Sequence, residues 1–538
     1  MPVALDLNTL SQPLREVFQS VLGERDEAWV QRDEARVQRE AARLEHRRLE
    51  LEIKLLKERI RLLLRSKYGA KAEQLSDAQL ALLELEPGVT REEVATEAAL
   101  PAAEKKLTRR VAAPHGRSPL PAHLPRVEEL IPVPANERHC ATCGCEKCVI
   151  GHDVTEVLDL KPVELFVRVL QREKLACPRH PEAGVAMGPA PERIIPGGKL
   201  SDAFLTDVTL KKYLDHQPLF RQSAALWRDA QVHVSPSVLG DGVMAVGALL
   251  LPVNAAQRLE LLAGDYLQAD ETPVGVQSPD APKGQNHRAW QWQYSVPGGP
   301  VVFDFQMSRS RAGPAAFLQN YRGVVQTDAY SGYDYVIGPG QIHAGCWAHA
   351  RRKFHEAHQV DPADALAREV LERIGRLYAV EAQARAEKLT AVARQQRRAA
   401  QSAAEVAALK ARLLAIRAEV LPGSQLAKAC DYALRIWDRL AVFLAHGQVE
   451  IDTNLAENAM RPVALGRKNW LHIGDEKAGP KIAAILSVLA TCRRLGIHPR
   501  DYLMDVLPKL GRTRTGDVQP LTPLAWHRAR QAPVAPVS

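Results

Sequence analysis

Near residue 264 the apolar spacing of this chain drops from a helical period to alternation. The runs GDYLQAD, HRAWQWQYSV, GPVVFDFQ, GVVQTD and QIHAG are short strand candidates, since period two is the mark of a half-buried strand. A helical stretch at 311–320 precedes the fourth run, and another at about 346–358 follows the fifth. The order is three strands, helix, strand, a short segment, strand, helix.

That is the element order of an RNase H-like α/β fold. Three acids stand where such a fold needs metal ligands: Asp270 in YLQADETP, Asp328 in VVQTDAYSGY and Glu457 in TNLAENAMRP. Asp270 is expected on the first, central strand, bridging two ions. Asp328, at the end of the fourth strand, binds one of them. Glu457, in the first turn of a helix beginning near Asn454, completes the second. A phosphodiester is an anion that water attacks poorly, and two divalent cations about 3.5–4 Å apart activate the attacking oxygen and stabilise the leaving one. Mg²⁺ (or Mn²⁺) with oxygen ligands suits that task. Each acid has a plainer reading. Glu271, Asp265 or Asp304 can replace Asp270 as the relevant acid. Asp328 can close an Asx turn before AYSGY. Asn454 and Glu457 fit a capping box.

With 538 residues, the chain exceeds one core and divides into several domains. Residues 1–75 hold a long helix. In it Val30, Val37, Leu44 and Leu51 recur every seven residues, and Leu49, Ile53, Leu56, Ile60 and Leu63 continue in a shifted register. Such a seam pairs with another helix or folds back on its own chain. Residues 76–135 form a proline-containing basic arm, where Arg109, Arg110 and Arg117 can neutralise phosphates or simply stay solvated in a linker. Residues 136–190 crowd cysteines around strand-like sequence, the pattern of a structural zinc hairpin. The chosen ligands are Cys140, Cys143, Cys177 and His180, with Cys145, Cys148 and His152 as rivals. Residues 191–262 read as a helical region with helix, short turn and a Ser235-Pro236 helix start, compatible with a DNA-binding helix-turn-helix or an ordinary hairpin. The catalytic core occupies 263–360 and returns at 446–510, an all-helical insertion fills 361–445, and 511–538 is a basic, loosely held tail.

Lys and Arg number 71 against 63 Asp and Glu, a net charge of +8, which permits nucleic acid as a partner. No basic leader precedes an apolar stretch and no run of about 18 apolar residues occurs, so a cytoplasmic protein without a membrane span is expected. In GCWAHARRKF, Cys346 and His349 stand one helical turn apart. They suggest a packed pair, or His349 reaching DNA or the active site. Arg351, Arg352 and Lys353 follow, placed to hold phosphates or to stay in solvent. Arg461 lies one turn after Glu457, to steer a phosphate or pair with that acid. Arg467, Lys468 and Trp470 join cations to an aromatic ring, as flanking DNA requires, or form a basic turn over a buried Trp.

The stretches RSKYGAKAEQL, RSPLPAHLPR, the cysteine knuckles, ADETP, QTDAYSGY, GCWAHARRKF and NLAENAMRPVALGRKNW resemble the insertion-sequence-66 family of transposases over nearly the whole chain. The resemblance implies a DDE recombinase with Asp270, Asp328 and Glu457 as its acids and an insertion before the glutamate. It implies metal-dependent cleavage of inverted-repeat transposon ends and joining of the 3′-hydroxyls to target DNA. It also implies accessory proteins of the same element. Two ends must be brought together, so a homo-oligomer (dimer or higher) on DNA is expected, supported by the N-terminal helix. The family's zinc region usually ends in a cysteine pair, whereas this one ends in Cys177-Pro-Arg-His180. A non-catalytic zinc-dependent protein that holds or represses transposon ends is the alternative.

Overall fold

The computed structural model describes residues 11–68, 165–169, 174–176, 185–187, 193–196, 198–513 except 283, 329, 335 and 339, and 517–531. The basic arm, with Arg109, Arg110 and Arg117, lies outside the described residues, as do Cys140, Cys143, Cys177 and His180. The chain forms two compact units, 1–100 with 192–218 and 240–538, and 101–191 with 219–239. The larger is mixed α and β, mostly helical around a single small sheet.

Its first helix, α1 (Gln12–Tyr68), has 57 residues and is about 86 Å long. The seam residues Val30, Val37, Leu44, Leu49, Ile53, Leu56 and Ile60 are exposed along it. In the smaller unit, β1 (Lys174–Ala176) pairs antiparallel with β2 (Val185–Met187). This hairpin brackets Cys177 and His180 in sequence, and the preceding residues 165–169, expected as strand, are irregular. The helix α2 (Asp202–Tyr213) belongs to the larger unit. Then α3 (Leu219–Ala230) ends where Gln231 takes a positive φ of 53°. The next helix, α4 (Pro236–Leu262), starts as its sequence requires, with Ser235 Oγ accepting from Val238 N at 3.3 Å. α4 is long and apolar enough to cross a membrane by length and composition. Yet Val243, Val246, Leu250 and Val253 are buried within its unit, and Gln257 donates to Thr491 Oγ1 at 2.7 Å, so it packs as a core helix.

The sheet follows: β3 (Tyr266–Val276), β4 (His287–Ser295), β5 (Val301–Gln306), β6 (Gly323–Gln326) and β7 (Gln341–Ala344), in the spatial order β5-β4-β3-β6-β7. β3, β4 and β5 pair antiparallel, whereas β6 and β7 run parallel to β3. The short α5 (Ala312–Phe317) joins β5 to β6. Pro273 is tolerated in the central strand because β6 stops at Gln326, opposite Gln268, so no strand needs the missing N–H. One face of the sheet buries Leu267, Ala269, Trp292, Tyr294 and Val325 with Phe317 and Leu318. The other carries Tyr266 and Val324 into a larger core built from helices.

Those helices are α6 (Trp347–Val360), then α7 (Ala365–Ala386), α8 (Ala391–Gln401), α9 (Ala403–Glu419), α10 (Gln425–Arg435) and α11 (Trp437–Ala445). The chain returns to the sheet through residues 446–453 and α12 (Asn454–Trp470). Next, α13 (Ala478–Arg494) lies along β5, where Ser487 Oγ accepts from Phe303 N at 2.7 Å and Thr491 Oγ1 from Val301 N at 2.9 Å. These hydroxyls close the edge strand that would otherwise offer free donors. The expected loose tail is instead docked up to Gln531. After α14 (Pro499–Leu510), α15 (Pro523–Gln531) sets Trp526 edge-on to Tyr502 and its Nε1 on Asp505 at 2.8 Å. The half-buried indole does not act alone: Tyr502 Oη donates to Leu521 O at 2.6 Å and Thr522 Oγ1 to Glu260 at 2.6 Å, so several contacts together offset the ordering entropy of the segment.

Candidate active site

Asp270 lies on β3, the middle strand. Gln268 on β3 is the register partner of Gln326 on β6, so Asp270 and Asp328, each two residues further on, leave the parallel pair at the same level. Asp270 Oδ1 accepts from Glu271 N at 2.9 Å. Asp328 does form the Asx turn, its Oδ1 accepting from Tyr330 N at 2.9 Å, which engages that one oxygen.

Glu457 sits in the first turn of α12, and it does not form a capping box. Asp452 takes the donors of Asn454 instead, the backbone N at 3.1 Å and Nδ2 at 3.0 Å. Glu457 Oε1 is buried without a hydrogen-bond partner. Its nearest basic groups stand off, His349 Nε2 at 3.5 Å from Oε1 and Arg352 at 3.6 Å from Oε2. Burial, then the fields of Glu457, Glu271 and Asp328, push the Asp270 carboxyl up to about 7. Asp270 therefore shares one electrostatic neighbourhood with Glu457 and Asp328, whose fields disfavour its own charge. Among the described residues, no three His, Cys, Asp or Glu side chains close on a common metal-sized point.

The rival acids are committed elsewhere. Alternation puts Glu271 on the face opposite Asp270. There its side chain, 2% exposed, pairs with Arg309 at 2.6 Å and accepts from Tyr333 Oη at 3.2 Å. Asp304 shares that opposite face through the register Glu271↔Trp292↔Asp304 and accepts from Gln306 Nε2 at 2.8 Å. Asp265 is exposed and accepts from Gln448 at 3.1 Å.

Cys346 and His349 face different tasks. The Cys346 Sγ accepts from Thr453 N at 3.3 Å and Thr453 Oγ1 at 3.2 Å, which anchors the residue before α12. Burial pushes this thiol up to about 12, so it stays protonated. His349 turns to Glu457. Of the cations that follow, Arg352 lies against Glu457, Lys353 pairs with Glu356 at 3.4 Å, and Arg351 is within electrostatic reach of Tyr378 on α7. On α12, Arg461 Nη1 is buried without a hydrogen-bond partner. Arg467 Nη1 donates to Thr272 Oγ1 at 2.9 Å and to Pro273 O at 2.6 Å. That guanidinium ties α12 to β3, a role its sequence context did not suggest. Lys468 is exposed and Trp470 half-buried.

Three residues beside the acids were missed. Tyr266, Gln268 and Gln326 form a buried hydrogen-bonded group. The signal was a repeated pattern, Gln-x-Asp, in YLQAD and VVQTD.

The family model for Transposase IS66 family matches residues 197–481. The model described as Transposase C of IS166 homeodomain matches 55–128, and the zinc-finger binding domain of transposase IS66 matches 137–179. The uncharacterized protein y4qI of Sinorhizobium fredii (strain NBRC 101917 / NGR234) is 32% identical over 472 residues, 83% of this chain and 84% of its own. The uncharacterized protein y4hP of the same organism is 31% identical over 501 residues, 88% of each. With more than half of its length inside one family model, and with such relatives, the chain belongs to the IS66 family of transposases.

Proposed function

We propose that this chain is a DNA transposase whose cleavage and joining site is formed by Asp270, Asp328 and Glu457. The observation that carries the reading is the grouping of acids where β6 ends beside the middle of β3, with Glu457 brought to them on α12. Asp270 is driven to about 7 by burial and by its acidic neighbours, and Glu457 Oε1 is buried with no donor. The strand order β5-β4-β3-β6-β7, with three antiparallel strands and two parallel ones, supports an RNase H-like core. The helices between Ala365 and Ala445 are then the insertion, and residues 446–510 the return to the core.

The donor set is hard oxygen, which fits Mg²⁺ or Mn²⁺ better than a softer ion. Asp270, Asp328 and Glu457 would hold two such ions, which when bound supply charge stabilisation at the attacking and leaving oxygens. The chain's own groups orient this site. His349 and Arg352 flank Glu457, and Arg461 presents a buried, free N–H one turn beyond it. In the first reaction water attacks a phosphodiester at each transposon end, and the 3′-hydroxyl of the element is the leaving group. In the second, that hydroxyl attacks a target phosphodiester in line and displaces another 3′-oxygen. No side-chain nucleophile is required.

The remaining parts are read as follows. Cys140, Cys143, Cys177 and His180 hold a structural Zn²⁺, although His180 lies one residue beyond the zinc-finger match. The exposed seam of α1 joins copies of the chain on DNA. The basic arm with Arg109, Arg110 and Arg117, and the cations Arg351, Lys353 and Lys468, meet inverted-repeat or target DNA, whereas Arg467 is taken up by Thr272 and Pro273. Accessory proteins of the same element take part. The alternative, a protein that holds ends without cutting them, draws on the absence of a closed three-ligand cluster among the described residues.

Cleavage of labelled transposon-end duplex in Mg²⁺ or Mn²⁺ separates the two. Asp270→Asn, Asp328→Asn and Glu457→Gln are each expected to cut at least about a hundredfold more slowly, beyond the losses typical of residues behind a metal ligand. Wild-type protein that binds ends but never cuts them favours the alternative. Undiminished cutting by one variant removes that residue from the site.

A further inference from the structure

Parallel strands in the middle of a sheet are usually apolar, yet this pair carries polar residues at its centre. Tyr266 is 2% exposed, and Gln268 and Gln326 are fully buried. Burying such groups is unfavourable unless they are bonded, and here the bonds run to several separate elements. Tyr266 Oη donates to Gln326 Oε1 at 2.5 Å, and accepts from Gln268 Nε2 at 2.9 Å and from Glu450 N at 3.1 Å. Gln326 Nε2 uses both hydrogens, on Glu450 O at 2.8 Å and Gly345 O at 3.0 Å. Gln268 Nε2 shares its two hydrogens among Asp452 O at 2.8 Å, Tyr266 Oη at 2.9 Å and Gln326 Oε1 at 3.1 Å, while Gln268 Oε1 is buried without a partner. The phenol and the Gln326 amide have no spare donor left.

The bonded elements are those that bear the acids. Gln268 and Gln326 precede Asp270 and Asp328 by two residues on their own strands. Glu450 and Asp452 lie in the segment that enters α12 and carries Glu457. Gly345 directly precedes Cys346 and α6, which bears His349 and Arg352.

We propose that Tyr266, Gln268 and Gln326 are positioning residues for the carboxylate site, a shared clamp that fixes both strand acids relative to Glu457. The proposal rests on the reading of Asp270, Asp328 and Glu457 as cation-binding acids. A side chain at the clamp touches no substrate. It acts by holding the backbone from which the acids project, so its loss loosens the site without removing a ligand.

The test is a Mn²⁺ titration of the full chain, followed by electron paramagnetic resonance, well below the melting temperature of each variant. The difference between wild type and Asp270→Asn isolates binding at the acids from any other site. Gln326→Met keeps the length of the side chain without its hydrogen bonds. It is expected to weaken that binding about tenfold, as loss of a residue supporting a metal ligand does. Tyr266→Phe removes one hydroxyl from an otherwise intact core, and is expected to weaken it about threefold, a smaller loss of the same kind. If Gln326→Met does not fold, Tyr266→Phe decides alone. A merely structural role would lower the melting temperature of both variants and leave Mn²⁺ affinity at the wild-type value, which overturns the proposal. If Asp270→Asn binds Mn²⁺ as tightly as wild type, the reading of the acids fails and the clamp falls with it. If Asp270→Asn binds weakly while both clamp variants match wild type, only the clamp is wrong.

Discussion

Two groups of carboxylates, one among the helices and one beside the central strands, are treated in opposite ways. Among the helices, Glu381 and Glu450 are matched by arginines. Arg394 contacts Glu381 at 2.5 Å and Glu450 at 2.6 Å, Arg398 contacts Glu381 at 2.7 Å, and Arg385 contacts Glu450 at 2.7 Å. Arg398, fully buried, also donates to Phe443 O, His446 O and Val449 O. Burial alone would raise Glu450, but the hydrogen bonds and charges of Arg394 and Arg385 outweigh it and hold the carboxyl down at about 2. Beside β6, Asp270 is instead pushed up to about 7, and Arg352, the nearest cation to Glu457, stops at 3.6 Å. Acids neutralised by the chain itself fix architecture. Asp270, raised by burial and acidic neighbours instead of being held down by an arginine, is the acid that an external cation would relieve.

The contrast breaks most visibly at Arg398. Arg398→Met is expected to cost about 3–5 kcal/mol of unfolding free energy, because it strips a partner from a buried carboxylate. A denaturant midpoint close to wild type would show that the network is dispensable. Next in size is acid sensitivity. Glu450 has a folded pKa below its usual 4.5, so its contribution is present above that value and is lost as pH falls from about 4.5 toward 2. The loss is on the order of 3 kcal/mol. Denaturation series from pH 6 to pH 2.5 should show a shallower decline for Glu450→Gln than for wild type.

The strand-end acids should answer to a cation instead. Mg²⁺ or Mn²⁺ at a hundred times its dissociation constant is expected to stabilise wild type by about 2.7 kcal/mol. Asp270→Asn should be at least as stable as wild type without metal and gain little from it. Equal metal-induced shifts in the two proteins would sink the distinction. The smallest effect is at α12. Since Glu457 makes no capping box, Glu457→Gln should alter metal-free stability by less than about 0.5 kcal/mol, below the usual worth of a cap. A loss of 1 kcal/mol or more would return the residue to a helix-start role.

Much of this was legible locally. Alternation marked the strands, Ser235-Pro236 marked the start of α4, and the acids were placed on the elements that carry them. The plainer reading of Asp328 was legible too, since an Asx turn is a two-residue matter. What escaped is set by partners far along the chain. ARQQRRAAQ reads as a solvated, charged helix, and only Glu381 on one side and residues 443–450 on the other bury Arg394 and Arg398. Gln268 and Gln326 look like ordinary polar interruptions until the register β3–β6 sets them side by side. Arg467 looked available for phosphate until β3 offered Thr272 and the carbonyl of Pro273. The tail looked loose because a single Trp carries little weight in composition and much in packing.

The arginine network also sets a limit on what can be removed from the chain. Here Arg394 neutralises Glu450 and Arg398 donates to Val449 O, in the segment that enters α12. Excising residues 365–445 would remove both Arg385 and Arg394 and strand the Glu450 carboxylate in the core, so the block cannot be cut out without also replacing that acid.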